Sequence, residues 1–128
     1  MKERINTQNA PAAIGPYSQA VRNDNLLFGS GQLPIDPATG KLAEGGIAEQ
    51  FAQVLKNAKA ILAEAGCTLD DVVKTTVFLQ DIGNFAAMNE IYNQNFTGDV
   101  KPARSAFQVA ALPMGALVEM EFIAVVNK

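Results

Sequence analysis

KPARSAFQVAALPMGALVEMEFIAVV, Lys101 to Val126, reads as two strands separated by a turn at Pro113-Met114-Gly115. Successive side chains on a strand point to opposite faces, so alternate positions share one environment. In the second run the even positions Val118, Met120, Phe122, Ala124 and Val126 are uniformly apolar and belong to a core. The odd positions Leu117, Glu119, Glu121, Ile123 and Val125 are mixed, neither a clean core nor a clean solvent face. In the first run Arg104, Ala106, Gln108 and Ala110 alternate with Ser105, Phe107, Val109 and Ala111, which puts Phe107 and Val109 with the core and Arg104 on the opposite face. As a hairpin, the two runs pair with residue numbers summing to about 227, Gln108 opposite Glu119 and Ala106 opposite Glu121. Arg104 then stands roughly 13 Å along the sheet from Glu119 at about 3.3 Å per residue, with Glu121 the nearer carboxylate.

Working outward, Val72 to Leu79 is rich in β-branched and apolar residues and reads as an interior strand. From Ile47 the apolar residues Phe51, Val54, Leu55, Ala58, Ile61, Leu62 and Ala65 fall on one face of an α-helix, and Gly66 follows where a C-terminal cap belongs. A second helix is predicted from about Phe85 to Phe96, with Phe85, Met88, Tyr92 and Phe96 on one side and Asn84 as its N-cap. Near the N-terminus, Tyr17 to Arg22 and Leu26 to Ser30 flank Asn23-Asp24-Asn25, residues that tolerate left-handed turns, and predict a hairpin. The segment QLPIDPATGKLAEGG, dense in Pro and Gly, reads as a surface loop with a turn at Asp36-Pro37-Ala38-Thr39-Gly40. The order ββαβαββ packs as one sheet with both helices on one face, an α+β two-layer fold. Its other face lacks a cover, and uncovered apolar sheet surface marks an interface, so a homo-oligomer is expected.

The chain has 128 residues, which suits one domain spanning 1–128. A hydrophobic fraction of 48% and a charged fraction of 18% fit a compact globule and exclude disorder. The net charge is −3 without a long basic run, so nucleic acid is not an expected partner. No apolar segment approaches the ~20 residues of a membrane span, and none near Met1 resembles a signal-peptide core, so a cytoplasmic protein is expected. The single cysteine, Cys67, rules out an internal disulfide and reads as a small buried filler. Histidine is absent, which removes histidine triads, a histidine general base and histidine metal ligands. Neither metal nor cofactor is expected, although carboxylate-only magnesium sites are open to any chain with Asp and Glu.

Two readings fit the Arg104, Glu119 and Glu121 group. One is an ion pair at an interface or a set of edge charges reaching solvent. The other is a cleft between subunits in which Arg104 grips a small carboxylate through its planar fork while a glutamate handles a proton or orients water. Spacing alone does not choose between them.

Four stretches resemble one known family: NAPAAIGPYSQA (Asn9 to Ala20), GSGQLPIDPATG (Gly29 to Gly40), VVKTTVFLQDIGNFAAMNEIY (Val72 to Tyr92) and PARSAFQVAALPMGALVEME (Pro102 to Glu121). Together they are similar to the Rid family of reactive-intermediate deaminases, also called YjgF or L-PSP proteins, and within it to the RidA subgroup. The resemblance implies a chorismate-mutase-like fold and a trimer with clefts at the subunit boundaries. It also implies hydrolysis of 2-imino acids such as 2-iminobutanoate and 2-iminopropanoate, and their enamine tautomers including 2-aminoacrylate, to 2-oxo acids and ammonia. On the matching positions, Arg104 is implied to bind the substrate carboxylate and Glu119 to orient or activate water. Tyr17, Ser30, Gly31 and Asn89 are implied to line the pocket. Family members commonly carry cysteine two residues after the signature arginine, where this chain has Ala106; that position is implied to contribute its backbone.

From the residues alone, Tyr17 is equally a packed aromatic, Ser30 a turn hydroxyl and Asn89 a solvated helix residue. Another class of function is a non-catalytic module that senses a carboxylate or carries a chaperone-like or regulatory role; it needs Arg104, whereas catalysis also needs Glu119. Endoribonuclease activity, likewise attached to the family, is disfavoured by the negative charge and the lack of histidine.

Overall fold

In the computed structural model, which describes residues 1–127, the described residues form strands β1 (Lys2–Ile5), β2 (Ala20–Asn23), β3 (Leu26–Gln32), β4 (Ile35–Asp36) and β5 (Lys41–Leu42), then helix α1 (Ile47–Glu64) and strand β6 (Val72–Leu79). Helix α2 (Phe85–Asn95) and strands β7 (Ala103–Gln108) and β8 (Val118–Val125) complete the order. Six strands make a mixed sheet in the order β1-β2-β3-β8-β6-β7, with β6 and β7 parallel and the other neighbours antiparallel. The α+β reading therefore holds, with an additional edge strand β1 that the predicted order ββαβαββ lacks. The Pro- and Gly-rich segment, expected as loop, contains the short hairpin β4-β5. No helix among the described residues is long and apolar enough to cross a membrane.

Helix α1 follows its apolar spacing: Phe51, Val54, Leu55, Ala58, Ile61 and Leu62 are all buried. Its end is fixed by Gly66 in the left-handed region (φ 77), with Gly66 N–H donating to Ala63 O and Cys67 N–H to Leu62 O, the paired bonds of a Schellman cap. Helix α2 packs on α1 through Tyr92, whose ring stacks against Phe51 at 6.4 Å and Phe96 at 4.3 Å between centroids. Asn84 precedes α2 as expected but makes no side-chain cap; instead Asp81 Oδ1 accepts from Gly83 N–H and caps a preceding 3₁₀ turn. The Asn23-Asp24-Asn25 turn closes the β2-β3 hairpin with Asp24 at φ 54, and the strand before it starts at Ala20 rather than Tyr17.

The alternation in β8 is as predicted, since Val118, Met120, Phe122, Ala124 and Val126 are buried under the helices. The expected β7-β8 hairpin is not formed. Strand β6 lies between the two runs, pairing parallel with β7 and antiparallel with β8. The pairings of Gln108 with Glu119 and Ala106 with Glu121 are thus replaced by Leu79↔Gln108, Val77↔Ala106, Phe78↔Glu119 and Thr76↔Glu121. Because Thr75, Val77 and Leu79 face the helices, their partners Arg104, Ala106 and Gln108 do too. Phe107 belongs to the open face, 45% exposed, and Val109 follows the end of β7 without joining the buried core. The physical reason is that β7 follows helix α2 as a parallel strand on the outer side of β6, so its neighbours and register are set by β6 and not by a turn to β8.

Candidate active site

The row Arg104, Thr75, Phe122 runs across the helix-covered face, and the row Phe107, Phe78, Glu119 across the open one. Arg104 and Glu119 therefore stand on opposite faces of the sheet. The expectation that Arg104 faces the oligomer side with Glu121 as its nearer carboxylate is corrected accordingly.

On the helix side, Arg104 sits on the outermost strand at the rim of α2. Its Nη1 donates to Asn89 Oδ1 at 2.7 Å. Its guanidinium carbon lies 4.7 Å from the Tyr92 ring centroid and 5.4 Å from that of Phe85. Tyr92 in turn shares a 2.8 Å hydrogen bond with Thr75 Oγ1. Burial pushes the Tyr92 phenol above its usual value of 10.0, although the Thr75 bond and the Arg104 charge pull it down. A groove beside these residues is lined by Asn89, Tyr92, Asn93, Phe96, Lys101 and Arg104. Ala106, two residues on, shares the face and packs partly buried against the core.

The second group assembles around β3 and β8. Between Gly29 and Gln32 the β3-β8 register shifts, so Ser30 and Gly31 occupy a bulge, a device that re-aims side chains near functional sites. There Ser30 N–H donates to Gln19 O at 2.9 Å and Ser30 Oγ to Ser18 O at 2.6 Å. Gly31 lies so close to Glu119 that a Cβ on it would overlap Oε2. Tyr17 is 53% exposed and directly precedes Ser18, whose carbonyl accepts from Ser30 Oγ. Its segment is held by Gln19, which is buried and binds Thr7 N–H, Thr7 O and Pro11 O at 2.8, 3.0 and 2.8 Å. Glu119 is half-buried, and its carboxyl is raised above its usual value of 4.5, first by desolvation and then by the charge of Glu121.

Of the residues singled out from sequence, the fold thus brings Arg104, Asn89 and Ala106 together on one side and Ser30, Gly31 and Glu119 on the other, with Tyr17 exposed in the segment that binds Ser30. Tyr92, Phe85 and Thr75 were read only as helix and strand packing; their contact with Arg104 depends on the parallel pairing and carries no local signal. Among the described residues no cluster of three His, Cys, Asp or Glu side chains could hold a metal ion. Cys67 is buried, as expected.

The fold thus presents, on one face of its sheet, a guanidinium held by Asn89 and the Tyr92 ring and, on the other, the Glu119 carboxyl with its raised pKa. The family model described as Endoribonuclease L-PSP matches residues 7–126. A 2-iminobutanoate/2-iminopropanoate deaminase of Mus musculus is 53% identical over 125 residues, covering 98% of this chain and 92% of that protein. A RutC family protein of Pyrococcus horikoshii is 55% identical over 124 residues, 97% of this chain and 98% of the other. Among solved structures, a Rid family protein of Yersinia pestis superposes with a TM-score of 0.96 at 53% identity, over 98% of this chain and 100% of that one. TdcF of E. coli, solved with bound serine, superposes with a TM-score of 0.92 at 42% identity, over 98% and 99% of the two chains. The chain belongs to the L-PSP, or Rid, family.

Proposed function

We propose that this protein is a 2-imino acid deaminase, hydrolysing 2-iminobutanoate and 2-iminopropanoate to the 2-oxo acids and ammonia. It works as a chorismate-mutase-like trimer whose sites lie between subunits. The observation that carries this reading is the separation of Arg104 and Glu119 onto opposite faces of one sheet. Each group is half a site, and a second copy laid against the open face supplies the other half. The apolar residues Leu26, Phe28 and Phe107 exposed on that face, at 38–45%, are the surface such a copy covers. Curated relatives at 53% identity named as imine deaminases support the choice of reaction.

The chemistry follows from the two halves. Arg104, with Nη1 held by Asn89, offers its remaining N–H donors to the substrate carboxylate as a charge-assisted fork. The imine carbon, already electrophilic, is attacked by water, and Glu119 of the neighbouring copy takes the water proton. The carbinolamine formed from the nitrogen-protonated imine receives that proton on its amine, the C–N bond breaks, and ammonia leaves as Glu119 takes the hydroxyl proton, so that the C2 oxygen becomes a carbonyl; Glu119 then passes this proton to the ammonia and is ready for the next turnover. Positioning and general acid–base help of about 10² to 10⁴ suffice for so reactive a substrate. A carboxyl whose pKa is raised by its surroundings is suited to accept and return a proton. Tyr17, Ser30 and Gly31 wall the pocket on the Glu119 side and Ala106 lends backbone on the Arg104 side. Neither metal nor cofactor takes part in this sequence of steps.

The direct experiment couples a threonine or serine dehydratase, which releases the imine, to detection of the 2-oxo acid. Added protein should accelerate oxo-acid appearance, and Arg104→Ala should abolish the effect. No acceleration by the wild-type protein would sink the proposal. The structure of E. coli TdcF with bound serine favours a second reading, a small-carboxylate-binding module. Under that reading Glu119→Gln leaves every measured property intact.

A further inference from the structure

The deaminase reading assigns Arg104 to the substrate, but an arginine on an edge strand is a poor anchor unless something holds it. Each immobilised, rotamer-rich side chain weakens binding by the freedom it loses. Here that freedom is lost before any ligand arrives. The guanidinium carbon is 4.7 Å from the centroid of Tyr92, within cation–π range. Tyr92 is itself immobile: buried at 6% exposure, stacked on Phe51 and Phe96, and tied by its hydroxyl to Thr75 Oγ1 at 2.8 Å. Thr75 has no exposed surface and is the residue directly beside Arg104 in the parallel β6-β7 register, so the anchor and the anchored side chain are set by one pair of strands. Phe85 adds a second ring at 5.4 Å, and Asn89 takes one N–H from the side.

We propose that Tyr92, locked by Thr75, is a positioning residue that presets the Arg104 guanidinium for carboxylate capture, with Phe85 as its auxiliary. The ring face supplies the hold; the hydroxyl serves only to fix the ring. The proposal rests on the deaminase reading for its substrate but not for its contact.

The test uses the full-length protein and Tyr92→Leu, Tyr92→Phe and Phe85→Leu. Three quantities are read: KM and kcat in the dehydratase-coupled assay, the Kd for 2-oxobutanoate by calorimetry, and the Arg104 Nε–Hε NMR signal in unliganded protein, identified by its loss in Arg104→Lys. Tyr92→Leu should raise KM and Kd together by about tenfold, with kcat within about threefold, and should return the Arg104 signal to the averaged position of a free arginine. Tyr92→Phe keeps the ring but loses the Thr75 bond that fixes it, and should raise KM and Kd by about two- to threefold with a small shift of the Arg104 signal, well short of Tyr92→Leu. Phe85→Leu, at a partly buried position at the edge of the core, should raise Kd by about threefold and carries the test should Tyr92→Leu not fold. A folded Tyr92→Leu or Phe85→Leu with unchanged Kd and signal overturns the proposal, and so does a Tyr92→Phe as damaged as Tyr92→Leu. If wild type shows no turnover, the deaminase reading fails, while the Arg104 signal still decides whether Tyr92 holds the guanidinium.

Discussion

Gly31→Ala separates catalysis from stability at a single atom. Gly31 is not in the left-handed region, so alanine fits the backbone without strain. Its Cβ, however, would overlap Glu119 Oε2 and lie 3.0 Å from Cδ and 3.4 Å from Cγ. The clash falls on the far end of a flexible side chain, which yields by swinging its carboxylate aside. Relief to ordinary contact requires a shift of well over 1 Å, and a misplacement of even about 1 Å at a reacting group costs about 10² in rate. The fold itself loses little. Replacing glycine by alanine restricts the unfolded chain by about 0.4 to 1 kcal/mol in favour of folding, which offsets the small rearrangement. The melting temperature should therefore stay within about 4 °C of wild type. The dehydratase-coupled assay should show kcat/KM reduced about 10²-fold in a protein that melts normally. Full activity with a normal melting curve would refute the assignment of Glu119 as the proton acceptor.

The neighbouring glycine should behave in the opposite way. At Gly29 a Cβ would land in the ring of Phe122, which is 2% exposed and cannot swing out, so Gly29→Ala should cost about 1 to 3 kcal/mol by denaturant titration; an unchanged midpoint contradicts the packing. Arg104→Lys preserves charge but not the planar fork, and calorimetry should show oxo-acid affinity down by at least about tenfold; equal affinity means that charge alone binds. The Glu119 carboxyl must be ionised to accept a proton, so activity should rise with pH through a value above 4.5, and Glu121→Gln, by removing the second cause of the shift, should move that limb to lower pH. An unmoved limb would show that Glu121 does not act on it. For stability the sign is reversed: a carboxyl with a raised folded-state pKa favours folding most when protonated, so this contribution is greatest below 4.5 and declines as pH rises through the raised value.

Much of this fold was legible in the sequence because its signals are local. The α1 stripe, the Gly66 cap, the limits of β6 and the alternation in β8 each follow from residues within one turn or one strand. What could not be read was which strands become neighbours. Pro113-Met114-Gly115 looks like a hairpin turn, and Met114 does adopt φ 61 there, but β8 inserts between β3 and β6 instead of folding onto β7. The face of β7 was misread for a related reason. Phe107 is the bulkiest residue of that strand and suggests a core position, yet it meets Phe78 edge-on at 5.6 Å on the open face. Small Ala106 shares the helix-covered face with Val77 and packs partly buried against the core. Hydrophobicity assigns a face only when one side is wet, and here both are apolar. The candidate residues themselves came from motif resemblance, and sequence spacing had no means of dividing them between two faces. The bulge at Ser30 and Gly31, the close approach of Gly31 to Glu119 and the ring beneath Arg104 emerge only from tertiary contacts.

The central claim is that Arg104 of one copy and Glu119 of another make one site, and subunit mixing tests it most directly. Arg104→Ala and Glu119→Gln are each expected to be inactive as pure assemblies. Mixed in equal amounts, with subunit exchange verified by mass spectrometry, they regenerate intact sites wherever an Arg104-bearing copy meets a Glu119-bearing neighbour across the correct interface. For random mixing in a closed ring this is about one site in four, so about a quarter of wild-type activity should return. Verified exchange without recovered activity would contradict a site shared between subunits.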